Sequence, residues 1–297
     1  MDSTVLVWNA KENATPCRRK LMHHTKGVKS VEWATDGKRI LSGGYDGCAA
    51  YVDPETTTVV QCFEYDGAVT CVCFHPSDPH FVLVGTDRGR IFSHDLRQRS
   101  VVNTYQAAFG EVHDLLFLPG DEQRFVSSAS VKYRDASHQT LLVWDFRSST
   151  LLAERLDRDM QPFQCLRLHP QKSWFVAQCS ADYAVLFSSV APYKKLQKGK
   201  ARFEGSHEVQ GFSIHCSFNC DGSIFATGDA NGRLVYYETT TKAAVRSLQA
   251  YATPRTACLC TEFHPLEPST LVTGGSNGEI LFYGPPTSSY NNSQSHS

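Results

Sequence analysis

The chain has 297 residues, of which 41% are hydrophobic and 20% are charged, and its formal net charge is −1. This balance supports a sizeable buried core, and it excludes both a strongly basic nucleic-acid-binding chain and an acidic disordered one. Apolar runs such as FVLVG at 81–85 are far shorter than the roughly 20 residues of a membrane span. The first residues are not typical of a signal peptide, so we expect a soluble, intracellular protein, nuclear or cytoplasmic.

A β-favouring run, TVLVWNA, opens the chain at residues 4–10 and ends in a polar turn. Six similar runs follow it: CAAYVDP, RIFSHDL, LLVWDFR, AVLFSSV, RLVYYET and EILFYGP. The residue pairs at their ends, which begin with Trp8-Asn9 and include Trp144-Asp145, recur every 42 to 50 residues. Self-similarity at a fixed period of this length indicates a repeat architecture.

Two further patterns recur in phase with these runs. One is a strand that ends in an aromatic residue or leucine before a turn, at Trp33, Phe74, Phe117, Leu168, Phe218 and Phe263. The other runs into a small-residue turn, as in RILSGGYDG at 39–47, and Asp-Gly favours tight hairpins. The sequence therefore predicts a small sheet in each unit. Such a sheet must pack against a copy of itself, because it cannot bury its hydrophobic face alone.

The strands can be counted in chain order. TVLVWNA and RRKLMHH (18–24) supply two strands, five units supply four each, and a last unit at about 257–283 supplies three. Sheets stacked radially form a β-propeller. We therefore predict an all-β, seven-bladed propeller over residues 1–286 that lacks about three N-terminal strands, so that its ring is not closed and the chain is a fragment. The Pro-, Ser- and Asn-rich tail, 287–297, is predicted to be disordered.

The period, the Trp144-Asp145 pair and the unit from His24 to Gly47 resemble the WD-repeat family. This resemblance covers nearly the whole chain and implies a non-enzymatic scaffold that binds other proteins through its faces. Two longer passages, 128–149 and 185–213, resemble the branch that contains a factor of the second step of pre-mRNA splicing. They imply a nuclear role in splicing or ribonucleoprotein assembly, with spliceosomal partners.

The family resemblance also implies a buried structural network of His, Ser or Thr, Asp and Trp. The matching residues are His24, Ser42, Asp46, Trp144, Asp145 and His207, and Val52 replaces the Trp of the first full unit. A Ser/His/Asp trio also suits a hydrolase, so a propeller enzyme is an alternative. No phosphate loop, zinc-hydrolase motif or nucleophile elbow supports it, and we predict no enzyme, no cofactor and no small-molecule substrate.

Histidines and cysteines offer a possible metal site. His75, His169 and His264 each precede a proline at a strand end, where turn chemistry competes with metal binding. The eleven cysteines form no C-x-x-C pair, which favours reduced core residues over a metal site. We predict no metal.

A basic run at 193–202, YKKLQKGKAR, stands out in a nearly neutral chain. Its cations are Lys194, Lys195, Lys198, Lys200 and Arg202. They suit an RNA backbone or an acidic protein surface, with Tyr193 available for stacking. The alternative is a solvated loop.

Two strand ends, HDLR and WDFR, share an Asp-x-Arg pattern, at Asp95 with Arg97 and at Asp145 with Arg147. In some WD-repeat proteins this pattern contacts the adaptor of a cullin-type ubiquitin ligase, so a substrate receptor of such a ligase is a further alternative. An ordinary turn, capped by Asp and carrying a solvated Arg, explains the same residues.

Overall fold

The computed structural model describes residues 2–9, 17–107, 110–120, 123–130, 140–154, 161–196, 201–253 and 255–284. Residues 131–139 of the passage at 128–149, Lys198, Lys200 and the tail predicted at 287–297 lie outside these residues. The described elements are all strands, 25 in number, and none of this part of the chain forms a helix long and apolar enough to cross a membrane. The all-β prediction is confirmed.

The strands divide between two compact units, residues 1–160 and 161–297. The first unit begins with a two-stranded ribbon of β1 (Val5–Trp8) and β2 (Cys17–Leu21). Blade 1 comprises β3 (Val28–Trp33), β4 (Ile40–Gly44), β5 (Cys48–Asp53) and β6 (Thr58–Glu64). Blade 2 comprises β7 (Val69–Phe74), β8 (Phe81–Thr86), β9 (Arg90–Asp95) and β10 (Ser100–Gln106). Blade 3 comprises β11 (Val112–Phe117), β12 (Arg124–Ala129), β13 (Leu141–Asp145) and β14 (Leu151–Ala153).

The second unit contains three more antiparallel sheets. Blade 4 comprises β15 (Phe163–Leu168), β16 (Trp174–Cys179), β17 (Tyr183–Ser188) and β18 (Arg202–Glu204). Blade 5 comprises β19 (Cys216–Phe218), β20 (Ile224–Gly228), β21 (Arg233–Glu238) and β22 (Ala244–Gln249). Blade 6 has three strands, β23 (Cys258–Phe263), β24 (Leu271–Gly275) and β25 (Ile280–Tyr283).

The number of blades differs from the prediction. Over the described residues the structure has six sheets of three or four strands, whereas seven blades were predicted. The first predicted unit forms only the ribbon, because β1 pairs with β2 and with no other described strand. The ribbon packs against blade 1, where Val5 and Leu21 join Ile40, Ala50 and Val52 in one buried cluster, but with two strands it is smaller than any of the six sheets. The prediction of a single domain over 1–286 stays a prediction.

The hairpin between the third and fourth strands repeats in blades 1 to 3. An aspartate at the end of the third strand accepts a backbone N–H from within the turn: Glu55 to Asp53 at 2.9 Å, Arg97 to Asp95 at 2.9 Å and Ser148 to Asp145 at 2.7 Å. A residue with positive φ completes each turn, at Thr57, Arg99 and Ser149. Aspartate forms such local turns readily, which explains its recurrence at these strand ends.

Aromatic and aliphatic side chains fill the space between neighbouring blades of each unit. In the first unit, one cluster includes Tyr105, Phe125 and Trp144. In the second unit, a cluster of Trp174, Phe203, Phe225 and Tyr237 joins blades 4 and 5. The strands therefore bury their apolar faces against the next sheet, as the repeat pattern requires.

The first strands of neighbouring blades are joined by side chains. Ser30 Oγ and Glu32 Oε2, on β3, accept hydrogen bonds from the backbone N–H groups of Val72 (3.3 Å) and Phe74 (2.9 Å), on β7. Ser217 Oγ, on β19, accepts from Phe263 N at 3.1 Å. An edge strand left with free N–H groups invites pairing with another chain, and these side chains occupy some of those groups.

One cysteine pair contradicts the prediction of reduced thiols. Cys48 and Cys62, on adjacent strands of blade 1, form a disulfide. The spacing of the cysteines in the sequence did not predict this disulfide. It depends on the pairing of β5 with β6, which places Cys62 opposite Ala50, two residues after Cys48 on β5.

Candidate functional site

His24, Ser42 and Asp46 form one hydrogen-bonded set in blade 1. His24 Nδ1 lies 3.0 Å from Asp46 Oδ2, and His24 Nε2 lies 2.8 Å from Ser42 Oγ. Asp46 also accepts the backbone N–H groups of Thr25 (2.8 Å) and Cys48 (3.1 Å). Burial acts to raise the pKa of Asp46, but these hydrogen bonds outweigh it and lower the pKa.

The same set has hydrolase-like connectivity, but its serine is inaccessible. Ser42 is 0% exposed, and the His24 ring is fully buried. A nucleophile has to reach a substrate carbonyl, which this hydroxyl cannot do. The arrangement instead connects the segment before β3 to the turn between β4 and β5.

The other residues of the predicted network lie in separate places. Trp144 Nε1 donates to Ser127 Oγ at 2.9 Å, within blade 3. Asp145 caps its own turn, and hydrogen bonds from Ser148 lower its pKa. His207, in the second unit, lies 3.0 Å from Gln178 Nε2 and 2.7 Å from the Tyr237 hydroxyl. Burial lowers the pKa of His207 to about 4, so it is neutral at pH 7.

A second Ser-His pair escaped the sequence interpretation. His113 Nε2 lies 2.7 Å from Ser130 Oγ, because the register pairs Val112 with Ala129. Burial lowers the pKa of His113 to about 4. Glu111 Oε1 is 4.0 Å from His113 Nδ1, beyond hydrogen-bond distance, so no Ser-His-Glu triad is completed.

The three histidines that precede prolines serve their own turns. His75 Nδ1 accepts the N–H of Asp78 at 3.2 Å, and His169 Nδ1 accepts the N–H of Lys172 at 3.0 Å. His264 Nδ1 accepts the N–H of Glu267 at 3.0 Å. A ring nitrogen engaged in this way is not free for a metal, and the described residues contain no group of three ligands suited to a metal ion.

The basic run lies only partly within the described residues. Lys194 is exposed and Lys195 half-buried, and the Arg202 guanidinium lies 4.2 Å from the Tyr183 ring centroid. Tyr193 is 5% exposed, so its ring offers no face for a base to stack on. The sequence missed this because a tyrosine in a polar loop gives no sign of burial.

The arginine side chains of the two Asp-x-Arg turns differ in their contacts. Arg97 donates to Asp95 through both Nε and Nη2, each at 2.8 Å, and this side-chain bond lowers the pKa of Asp95. Arg147 is exposed, and its backbone N–H bonds to Asp145. The Arg97 guanidinium is thus already engaged within its own turn.

Comparisons with known proteins agree with the repeat pattern. The family model described as "WD domain, G-beta repeat" matches residues 15–51 and 57–93. The first match spans β2, β3, β4 and most of β5, and the second spans β6 to most of β9. Each matched repeat therefore contains the last strand of one sheet and three strands of the next, which couples successive sheets through the chain.

Relatives match almost the full chain. WD repeat-containing protein 25 of Mus musculus is 35% identical over 283 residues, covering 95% of this chain and 51% of the relative. Pre-mRNA-processing factor 17 is 25% identical in Saccharomyces cerevisiae and 26% in Homo sapiens, over 94% and 95% of this chain and 59% and 47% of the relative. The chain spans about half the length of these relatives. The repeat matches, the antiparallel sheets and the relatives agree that the chain contains WD repeats, and it is similar along most of its length to WD repeat-containing protein 25.

Proposed function

We propose that this chain is a non-enzymatic interaction scaffold that associates with the pre-mRNA splicing machinery in the nucleus. The observation that carries the proposal is the similarity to pre-mRNA-processing factor 17, which extends over 94–95% of this chain. Loops on a rigid frame of sheets supply binding specificity without a catalytic centre, and the buried Ser42 supports a structural role for the histidine network.

Affinity purification from nuclear extract followed by mass spectrometry tests the proposal. We expect components of the splicing machinery to be enriched over a purification with an unrelated WD-repeat protein. Enrichment of a cullin-ligase adaptor instead would favour the substrate-receptor alternative and overturn the splicing proposal. Recovery of neither class would also overturn it.

We further propose that the basic loop contributes an electrostatic contact to RNA or to an acidic protein. Lys194 and Lys195 carry this argument within the described residues. The double variant Lys194→Glu, Lys195→Glu should weaken the association more at low salt than at high salt, because added salt screens such contacts. A matched variant, Lys26→Glu with Lys38→Glu, makes the same change of charge on two exposed lysines of the first unit. If the two double variants bind equally, the basic run at 193–202 does not belong to the interface.

A further inference from the structure

Two lysines outside the basic run at 193–202 lie where blades 4 and 5 pack against each other. Lys172 belongs to the turn between β15 and β16, and Lys242 belongs to the turn between β21 and β22. Both ammonium groups approach the same indole, at 5.9 Å and 5.5 Å from the Trp174 ring centroid. Lys242 Nζ also lies 5.3 Å from the centroid of Phe203. Two turns distant in sequence thus each bring a cation to the same aromatic ring.

The position of each turn is fixed by hydrogen bonds. His169 Nδ1 accepts the N–H of Lys172, and His169 Nε2 lies 3.0 Å from the Gly222 carbonyl of blade 5. The Lys242 N–H donates to Glu238 O at 2.9 Å, and Lys242 takes φ 61°. Hydrogen bonds therefore hold the backbones that carry the two lysines in place.

Neither lysine forms an ion pair within the part of the chain that the structure describes. Two carboxylates of the neighbouring turns form hydrogen bonds within their own turns: Asp221 accepts the N–H of Ser223 at 2.7 Å, and Glu238 Oε2 accepts the Thr241 hydroxyl at 2.6 Å. Burial, followed by the charge of Lys172, lowers the pKa of Lys242.

Such an arrangement costs free energy in the absence of an anion. A half-buried ammonium loses hydration, and a second cation near it adds repulsion. A bound anion would offset both costs. Lysine binds phosphate as a point charge without a fixed geometry, so two lysines that approach from different turns suit a tetrahedral, doubly charged group.

We propose that Lys172 and Lys242 bind the phosphoryl group of a phosphorylated serine or threonine in a partner protein. A phosphomonoester carries a charge of about −1.5 to −2 at pH 7, which two ammonium groups neutralise. An internal RNA phosphate carries a single charge, and RNA-binding surfaces commonly add an exposed aromatic ring for the bases. Trp174 is 9% exposed, so it forms the floor of the site and leaves no face for a base.

The test is fluorescence anisotropy of the full chain with a labelled peptide library that has phosphoserine at its centre and degenerate flanks. The unphosphorylated library and a labelled single-stranded RNA are measured in parallel. We expect the phosphorylated library to bind at least about tenfold more tightly than the unphosphorylated one. Lys172→Gln and Lys242→Gln should each weaken its binding by about tenfold, as expected for loss of one charged contact.

Two controls make the result interpretable. Lys38→Gln changes an exposed lysine in the corresponding turn of blade 1 and should leave phosphopeptide binding unchanged. Lys242→Arg keeps the positive charge and should retain binding, which separates loss of charge from loss of packing against Trp174.

The proposal is overturned if the phosphorylated and unphosphorylated libraries bind equally, or if Lys172→Gln and Lys242→Gln bind the phosphorylated library like Lys38→Gln. It is also overturned if the RNA binds more tightly than the phosphorylated library and these variants lose RNA binding instead. It does not depend on an association with splicing factors, so either can fail alone.

Discussion

Single residues hold the turns of this protein in place, and Asp46 shows how. Its carboxylate accepts the backbone N–H groups of Thr25 and Cys48 and also contacts the His24 ring, so one side chain joins the segment before β3 to the turn between β4 and β5. The spacing of His24, Ser42 and Asp46 was visible in the sequence because the WD repeat fixes it. The partner of Trp144 was not, since Ser127 becomes a neighbour only through the pairing of β12 with β13.

Asp46→Ala should lower the free energy of unfolding by about 3 kcal/mol, because it leaves a buried imidazole and two backbone N–H groups without their acceptor. Urea denaturation followed by circular dichroism measures the loss. Asp36→Ala is the matched control, since Asp36 is exposed and accepts a single backbone N–H, from Lys38; we expect it to cost about 1 kcal/mol or less. Equal losses in the two variants would contradict the role assigned to Asp46.

At the scale of elements, hydrophobic alternation and turn residues predicted most strands. Both TVLVWNA and RRKLMHH contain strands, and the total of 25 described strands equals the predicted count. The number of blades could not be obtained in this way, because a strand pattern does not say how many neighbours a strand will find. Tyr193 illustrates the same limit for the site, since its burial depends on packing between segments that the sequence does not place together.

Close packing between sheets makes particular glycines necessary. A Cβ added at Gly228, on β20, would lie closer to the Cys258 carbonyl oxygen of blade 6 than real Cβ atoms approach other atoms. Gly228→Ala should therefore destabilise the second unit by about 1–3 kcal/mol through overpacking. Gly274 occupies the corresponding register position on β24, since Gly228 pairs with Leu234 and Gly274 with Ile280.

Gly274→Ala is thus a matched control for the glycine prediction. Its added Cβ would meet only Cys260 Cβ, at 3.7 Å, which is an ordinary contact. Thermal unfolding of the two variants separates the effect of crowding from the general effect of replacing a strand glycine. A larger loss for Gly274→Ala than for Gly228→Ala would show that sheet packing at β20 adjusts more easily than the contact indicates.

At the scale of the whole molecule, buried neutral histidines connect stability to pH. His94 in the first unit and His169 and His207 in the second are each 2% exposed. Desolvation by burial lowers the pKa of each to about 4, whereas an unfolded histidine titrates near 6.5. Between these values the unfolded chain binds more protons than the folded chain, so the free energy of unfolding rises with pH.

The chain should therefore lose stability as the pH falls from about 6.5 towards 4, before the carboxylates that have lowered pKa values begin to titrate. Each of the three histidines should contribute a loss of up to about 2 kcal/mol at pH 5. Urea midpoints measured at pH 7, 6 and 5 give the slope of stability against pH.

His207→Gln should flatten this slope even if it also lowers stability at pH 7, because it removes a proton that the unfolded chain takes up. His80→Gln replaces an exposed histidine and should leave the slope nearly unchanged. Since His207 lies near the carboxylates of Asp182 and Asp229 and near Arg233, an unchanged slope for His207→Gln would mean that the two carboxylates offset the cost of burying its charge.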